Sequence, residues 1–133
     1  MTNLVEELKC KDKVKDAFNR RFKAITRLYD LYCQGNDGSD EDLGRLNEYG
    51  LCFDYVKPFT FTDQPIGYHR YQLSYGGPSE EFRIFTRRGT ITKIEFWYLD
   101  WFDGAKVNVT GKKFVALCVF FNDVFDLSRK DYD

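Results

Sequence analysis

The first third of the chain places apolar residues at spacings of three and four. This pattern is typical of an amphipathic helix that packs one face against a core, and Gly35 follows it where a helix C-terminus favours glycine. We expect one long helix here, then a polar loop and a short helix that Asp40 caps and that runs through Asn47. The apolar stripe of the long helix consists of Val14, Phe18, Phe22, Ile25, Leu28, Tyr29 and Tyr32.

From residue 51 onward the pattern changes to the alternation of β-strands. Residues 51–61 contain Pro58, which has no N–H to donate, so this strand should lie at a sheet edge. The strand that begins at residue 68 puts His69 in phase with Tyr71 and Leu73. We therefore expect the side chain of His69 to point toward the apolar face of the sheet, as a packing residue rather than a general base.

Two further strands form a hairpin, over residues 82–87 and 91–101. The second strand is apolar on both faces from residue 94 to residue 99. Such a run predicts a central strand that is covered on both sides. We place the aromatic residues Phe96 and Trp97 in the core.

The C-terminal part has two open interpretations. Residues 106–109 either add another strand or lead into the last helix. Residues 114–121 fit a largely buried helix with Thr110 as its N-cap, but valine and phenylalanine also favour strands, so a strand is the alternative. The apolar positions of the helix interpretation are Phe114, Leu117, Cys118, Phe121, Val124 and Phe125.

Together these elements predict an α+β fold: an N-terminal helix, an antiparallel sheet of about four strands, and a C-terminal helix packed on the sheet. The length of 133 residues fits a single domain. Within it we expect a helical part (1–48), a sheet (51–109) and the C-terminal helix (111–126).

Composition excludes several classes of protein. The net charge of −1 argues against a generally basic surface. No apolar run is long enough to cross a membrane, and no signal peptide is recognisable, so we expect a cytoplasmic protein without membrane partners. Four cysteines without a CxxC pair and one histidine make a metal site improbable. We expect free thiols, mostly packed as small hydrophobic side chains, and no cofactor.

Basic residues raise the alternative of a small nucleic-acid-binding module. Residues 1–34 carry eight basic and five acidic side chains, and the heptad spacing of three of the basic ones places them on one helix face. Three arginines surround the predicted hairpin, near Tyr68, which we expect to be exposed for base stacking. No RNP-like motif accompanies them, so solvent-facing strand residues are the simpler interpretation. The candidate contacts are Lys13, Arg20, Arg27, Arg83, Arg87 and Arg88.

Acidic residues raise a second alternative, a small hydrolase or transferase. Its candidate acid–base groups are Glu80/Glu81 and Asp100/Asp103. Paired carboxylates cooperate only at a defined separation, which the sequence does not supply. No nucleophile elbow, P-loop or dinucleotide-binding glycine motif occurs, and we expect a protein that is not an enzyme.

Two stretches carry a more specific signal. Residues 72–85 contain Leu-Ser-Tyr-Gly-Gly-Pro-Ser-Glu-Glu-Phe, and residues 94–105 end in Leu-Asp-Trp-Phe-Asp-Gly-Ala. They resemble the shared core of a family of small, mostly uncharacterised proteins carried by bacterial mobile elements and phages, often near antirestriction genes. The resemblance covers residues 68–105. It implies a host-defence antagonist, such as an anti-CRISPR or antirestriction protein, but supplies no activity that can be assigned to individual residues.

These observations favour a non-enzymatic protein-binding module as the first hypothesis, with a component of a host-defence complex as the partner. Large aromatic side chains ringed by charge make good binding anchors. The two motifs supply both kinds of residue at what we expect to be one end of the sheet. The candidate partner-binding residues are Glu80, Glu81, Asp100, Trp101, Phe102 and Asp103.

Overall fold

The structure is a computed structural model that describes residues 9–35, 38–100 and 103–127. Its first element is helix α1, Cys10–Cys33. The predicted stripe is confirmed at its centre, where Ile25 and Leu28 are fully buried. Gln34 is the C-cap, and Gly35 follows it with φ of +90°, a left-handed conformation that favours glycine.

The predicted second helix is wrong over most of its length. Strands β1 (Ser39–Asp40) and β2 (Gly44–Arg45) form a small antiparallel hairpin, and helix α2 is limited to Leu46–Tyr49. Asp40 Oδ2 accepts hydrogen bonds from the backbone N–H groups of Asp42 and Leu43, at 3.0 and 3.2 Å. The aspartate therefore stabilises the hairpin turn, which competes with a helix start for the same acceptor.

A five-stranded antiparallel sheet forms the centre of the molecule, one strand more than we predicted. Residues 103–108 pair with the preceding strand, so the strand interpretation of 106–109 is the correct one; half-buried Ala105 and Val107 alternate there with exposed polar residues and glycine. The strands lie in sequence order, so the third of them is the central one. Their bounds are β3 Cys52–Val56, β4 Tyr68–Ser74, β5 Ser79–Arg87, β6 Thr90–Asp100 and β7 Asp103–Asn108.

Helix α3, Gly111–Val124, settles the choice between helix and strand in favour of the helix. Thr110 occupies the N-cap position, but its side chain makes no capping hydrogen bond. Leu117, Phe120 and Phe121 are buried. They recur at spacings of three and four, so one face of α3 faces the core.

The core lies between one face of the sheet and the two long helices. Phe18 of α1 packs against Phe82 and Phe96, with ring centroids 6.1 and 5.7 Å apart. Phe121 of α3 packs against Phe82 and Tyr71, at 5.7 and 5.8 Å. Phe96 is a core residue, as predicted.

The other face of the sheet carries no helix among the described residues; we call it the open face. This corrects the expectation that β6 is covered on both sides. On the open face of β6, Glu95 pairs with Lys93 of the same strand and with Lys106 of β7, and Trp97 lies beside Arg83 of β5, rather than under a second layer. Trp97 is accordingly half-buried on the open face and not part of the core.

Candidate interaction surface

The two motif stretches lie side by side, because β5 and β6 pair in antiparallel register from Ser79↔Leu99 to Arg87↔Thr90. This register brings the Gly-Gly-Pro turn next to the end of β6. A Cβ atom built on Gly77 would lie 3.6 Å from Asp100 Oδ1. The predicted meeting of the two motifs at one end of the sheet is thus present in the structure.

Glu80 and Glu81 do not act together, since neighbouring residues of a strand point to opposite faces. Glu80 faces the helices. Its carboxylate accepts hydrogen bonds from Arg20 Nη2 at 3.1 Å and from Arg21 Nε at 2.8 Å. Arg21 also donates to Tyr49 Oη at 3.1 Å. Glu80 therefore anchors α1 and α2 to the sheet.

The contact with Glu80 also raises the pKa of Arg21 in α1. Burial alone would lower the pKa of the Arg21 guanidinium, but its hydrogen bonds to Glu80 and Tyr49 outweigh that effect and raise it. Arg20 and Arg21 thus neutralise a buried carboxylate. Arg20, one of the predicted nucleic-acid contacts, is therefore already paired with a carboxylate.

Glu81 points to the open face and begins a network of charged and aromatic side chains. Its Oε2 accepts a hydrogen bond from Arg83 Nε at 2.7 Å. The Arg83 guanidinium lies 4.0 Å from the ring centroid of Trp97 and 4.9 Å from that of Tyr68. Tyr68 is only 2% exposed. The expectation of an exposed stacking tyrosine is wrong, because Arg83 lies over the ring.

The network continues through Glu95, which is buried on the open face. Glu95 Oε1 accepts a hydrogen bond from Trp97 Nε1 at 2.9 Å, and Oε2 accepts one from Lys106 Nζ at 2.8 Å. Burial alone would raise the pKa of Glu95. The bonds from Lys106 and Trp97 and the charge of Lys93 outweigh burial, so the pKa is lowered.

Asp103 has a capping role at the start of α1. Its Oδ2 accepts a hydrogen bond from the backbone N–H of Cys10 at 2.8 Å, and this bond, more than any other contact, lowers the pKa of the carboxyl group. A carboxylate at a helix N-terminus satisfies a free N–H and complements the helix dipole. Trp101 and Phe102, the predicted aromatic anchors, lie outside the described residues.

The six predicted nucleic-acid contacts do not share one surface. Arg27 pairs with Asp40 at 3.3 Å, and Lys13 is exposed on the same helix. Arg83 lies on the opposite side of the sheet, within the network described above. Arg87 and Arg88 are exposed at the β5–β6 turn.

The structure confirms the predicted position of the single histidine but not the predicted burial of most cysteines. His69 is buried on the helix-facing side, 5.7 Å from the ring of Phe53, as its phase predicts. Cys10 is buried, but Cys33 and Cys52 are exposed. The expectation that most thiols are packed is therefore wrong, because the helix end and the edge strand that hold these two lie at the surface.

Sequence reasoning missed the most exposed apolar group, which lies in the loop between β3 and β4 (residues 57–67, the apolar loop). Phe59 is 72% exposed, Ile66 62% and Phe61 50%. The sequence does show three large apolar residues in an eleven-residue loop that also contains two prolines, Pro58 and Pro65. Its turn-like composition gave no reason to expect all three side chains to be exposed.

Gln64 gives the apolar loop a defined shape. Its side-chain Nε2 donates to the carbonyl oxygens of Lys57 and Ile66, at 3.0 and 2.9 Å, while Oε1 accepts from the N–H of Phe61 at 3.0 Å. Phe59 has φ of +60°, which is rare for a bulky side chain. Hydrogen bonds of the Gln64 side chain hold the loop while its large apolar side chains stay exposed, so these side chains are available for contact.

A pocket of about 400 Å³ connects the apolar loop with the motif end of the sheet. Phe61 and Tyr75 belong to its lining, and Tyr75 is 80% exposed. The motif residues Ser79 and Leu99 contribute to the same wall. Its charged lining residues are Arg70, Glu81 and Arg83.

The fold and this surface define a small α+β protein with two helices on one face of an antiparallel sheet and an apolar loop beside the open face. Comparison with family models, curated proteins and solved structures found no match to the chain. Among residues 9–35, 38–100 and 103–127, no helix is long and apolar enough to cross a membrane. The same residues contain no cluster of three potential metal-ligating side chains.

Proposed function

We propose that this chain is a non-enzymatic protein-binding module whose contact surface is the apolar loop together with the adjoining pocket. The observation that carries the proposal is the exposure of Phe59, Phe61 and Ile66 on a loop that Gln64 holds in shape. Aromatic groups that are already ordered lose little entropy on binding, and they dominate the affinity of many interfaces.

The contact surface adjoins the motif end of the sheet through Tyr75, Ser79 and Leu99. This supports the protein-binding hypothesis from the sequence, but with contact residues that differ from the predicted ones. Glu80 and Asp103 have structural partners in the helices, whereas the side chains of Tyr75, Phe59, Phe61 and Ile66 are exposed. The resemblance of residues 68–105 to a mobile-element and phage family favours a bacterial defence complex as the partner.

Nucleic-acid binding has less support from the geometry. On the open face Arg70 makes two hydrogen bonds to Asp54, at 3.0 and 2.7 Å, and Arg83 binds Glu81. A phosphate group would have to compete with carboxylates that already neutralise these arginines. For the hydrolase alternative, Glu80 and Glu81 lie on opposite faces of the sheet and do not converge, and the Asp103 carboxylate already accepts a hydrogen bond from the Cys10 N–H.

The first test compares the wild-type chain with the triple variant Phe59→Ser/Phe61→Ser/Ile66→Ser. We expect an unchanged melting temperature, because exposed substitutions rarely cost more than about 0.5 kcal/mol each. Immobilised wild-type chain should retain a stoichiometric protein from a bacterial lysate, and the triple variant should lose it. Loss of even one anchoring aromatic typically costs about 2 kcal/mol of binding free energy.

Leu51→Ser is the matched control, since Leu51 is 60% exposed but lies before β3 and outside the loop. The control should retain the same protein as the wild type, and calorimetry with the purified partner should confirm equal affinity.

For the defence hypothesis, wild type and control should restore phage plating on a host with active CRISPR or restriction defence. Equal binding by wild type and triple variant would contradict the proposed surface.

A further inference from the structure

Helix α3 exposes an apolar stripe that lies on the helix side of the molecule, remote from the open face. Val115 is 61% exposed and Val119 52%. Their spacing of four places them next to each other on the helix surface. The opposite side of α3, with Leu117 and Phe121, is fully buried. The helix therefore has a second apolar surface that its own core does not use.

Opposite charges flank this stripe. Lys112 precedes Val115 by three residues and Asp123 follows Val119 by four, so all four residues share one side of the helix. Asp123 accepts a hydrogen bond from Tyr29 Oη through Oδ2, at 2.8 Å. Within the described part of the chain, neither Lys112 nor Asp123 takes part in an ion pair.

The order of these residues is self-complementary. The midpoint between Val115 and Val119 is position 117, and the midpoint between Lys112 and Asp123 lies half a residue away. A two-fold axis at this point would set each Val115 against Val119 of a second copy. The same axis would set each Lys112 against Asp123 of that copy. A parallel arrangement would instead oppose like charges.

We infer that α3 is the contact surface for a second copy of this chain in an antiparallel, two-fold symmetric pair. A two-fold interface uses the same patch on both subunits, so the patch must complement itself, and the order of Lys112, Val115, Val119 and Asp123 does so. Standard stable interfaces bury about 1,200–2,000 Å² in total. One face of a helix about 21 Å long offers less, so the dimer should be weak and dependent on concentration.

Sedimentation velocity of the full chain over a concentration series into the millimolar range tests this inference. We expect the wild type to shift from monomer toward dimer, and Val119→Lys to raise the dissociation constant at least tenfold. Leu51→Lys is the matched control, because Leu51 is similarly exposed but lies away from α3. It should dimerise like the wild type.

Charge exchange tests the antiparallel arrangement itself. Lys112→Glu and Asp123→Lys should each weaken the dimer, because each sets like charges opposite one another across the two-fold axis. The double variant restores opposite charges and should recover dimerisation, with melting temperatures confirming that each variant is folded. A wild type that stays monomeric throughout the series, equal behaviour of Val119→Lys and Leu51→Lys, or no recovery in the double variant would each overturn the inference.

Discussion

Individual residues of the motif have clear structural roles on both faces of the sheet. Glu80 is buried between the sheet and α1, where Arg20 and Arg21 supply its counter-charges. Glu81, its neighbour, belongs to the open-face network of Arg83 and Trp97. A buried carboxylate is tolerated only when hydrogen bonds replace its lost hydration. Each glutamate therefore depends on a partner that its own strand or a distant helix provides.

Substitution of Glu80 should show that its role is structural. We expect Glu80→Ala to lower the free energy of unfolding by about 3 kcal/mol, because it leaves the half-buried guanidinium of Arg21 without its carboxylate. Glu48→Ala is the control, since its ion pair with Arg45 is 3.9 Å long and exposed on both sides. That variant should stay within about 0.5 kcal/mol of the wild type.

Urea unfolding monitored by circular dichroism measures both values. Equal stability of the two variants would mean that the ion pairs of Glu80 contribute no more than a surface pair.

At the scale of elements, α1 and α3 determine how the sheet is covered. Asp103 in β7 caps α1, and Lys113 at the start of α3 donates to Asn19 Oδ1 at 3.0 Å. The aromatic residues of α3 fill the space over β4 and β5, including Phe120, whose ring centroid lies 6.2 Å from that of Tyr71. The helices are thus held at their ends by polar contacts and along their length by apolar packing.

The packing of α3 predicts unequal effects for two substitutions on the same helix. Phe121→Ala should cost about 3–5 kcal/mol, because it leaves a cavity among Phe82, Tyr71 and Phe120. Val119→Ala removes apolar atoms from the exposed side and should cost less than about 0.5 kcal/mol. Denaturant titration of both variants checks the difference. A loss below 1 kcal/mol for Phe121→Ala, roughly the size of a single buried methylene, would contradict the observed packing.

At the scale of the whole molecule, the two faces of the sheet are stabilised differently. The helix-facing side is an aromatic core, whereas the open face relies on carboxylates that are bound by lysine, arginine and tryptophan side chains. Carboxyl groups in three parts of the chain have a lowered pKa: Asp40, Glu95 and Asp103. Protonation of these groups should affect the stability of the whole fold.

The sign of this effect follows from the direction of the shifts. A carboxyl group with a lowered pKa binds fewer protons in the folded state than in the unfolded chain, so acid favours unfolding. We expect full stability above the ordinary values of 3.8 for aspartate and 4.5 for glutamate, and a progressive loss as pH falls through the folded-state values.

Unfolding free energies measured by urea titration between about pH 6 and pH 3 check this expectation. The unfolding free energy of Glu95→Gln should decline less steeply with acid than that of the wild type, because the variant lacks one of the carboxyl groups whose protonation favours unfolding. An identical acid dependence in the variant would mean that Glu95 does not contribute to the pH dependence of stability.

Local patterns in the sequence determined the type of most elements. Spacings of three and four specified α1 and α3, and alternation specified β4 and β5, because these periodicities reflect the geometry of a single helix or strand. A continuous apolar run specified β6. The side of the sheet that His69 faces follows from the same rule. For β7 the sequence left a strand and a lead into the helix both open, because two apolar residues, Ala105 and Val107, are too few to establish a period.

Only the tertiary structure decided which residues form the candidate site. Glu80 finds its arginines about sixty positions earlier in the chain, and Asp103 finds the start of α1 more than ninety positions away. Such pairs depend on how whole elements pack, which a local period does not encode. The exposure of Phe59 and Phe61 is likewise a tertiary property: alone, each is a hydrophobic residue near a proline, and only the assembled sheet leaves them without a core to enter.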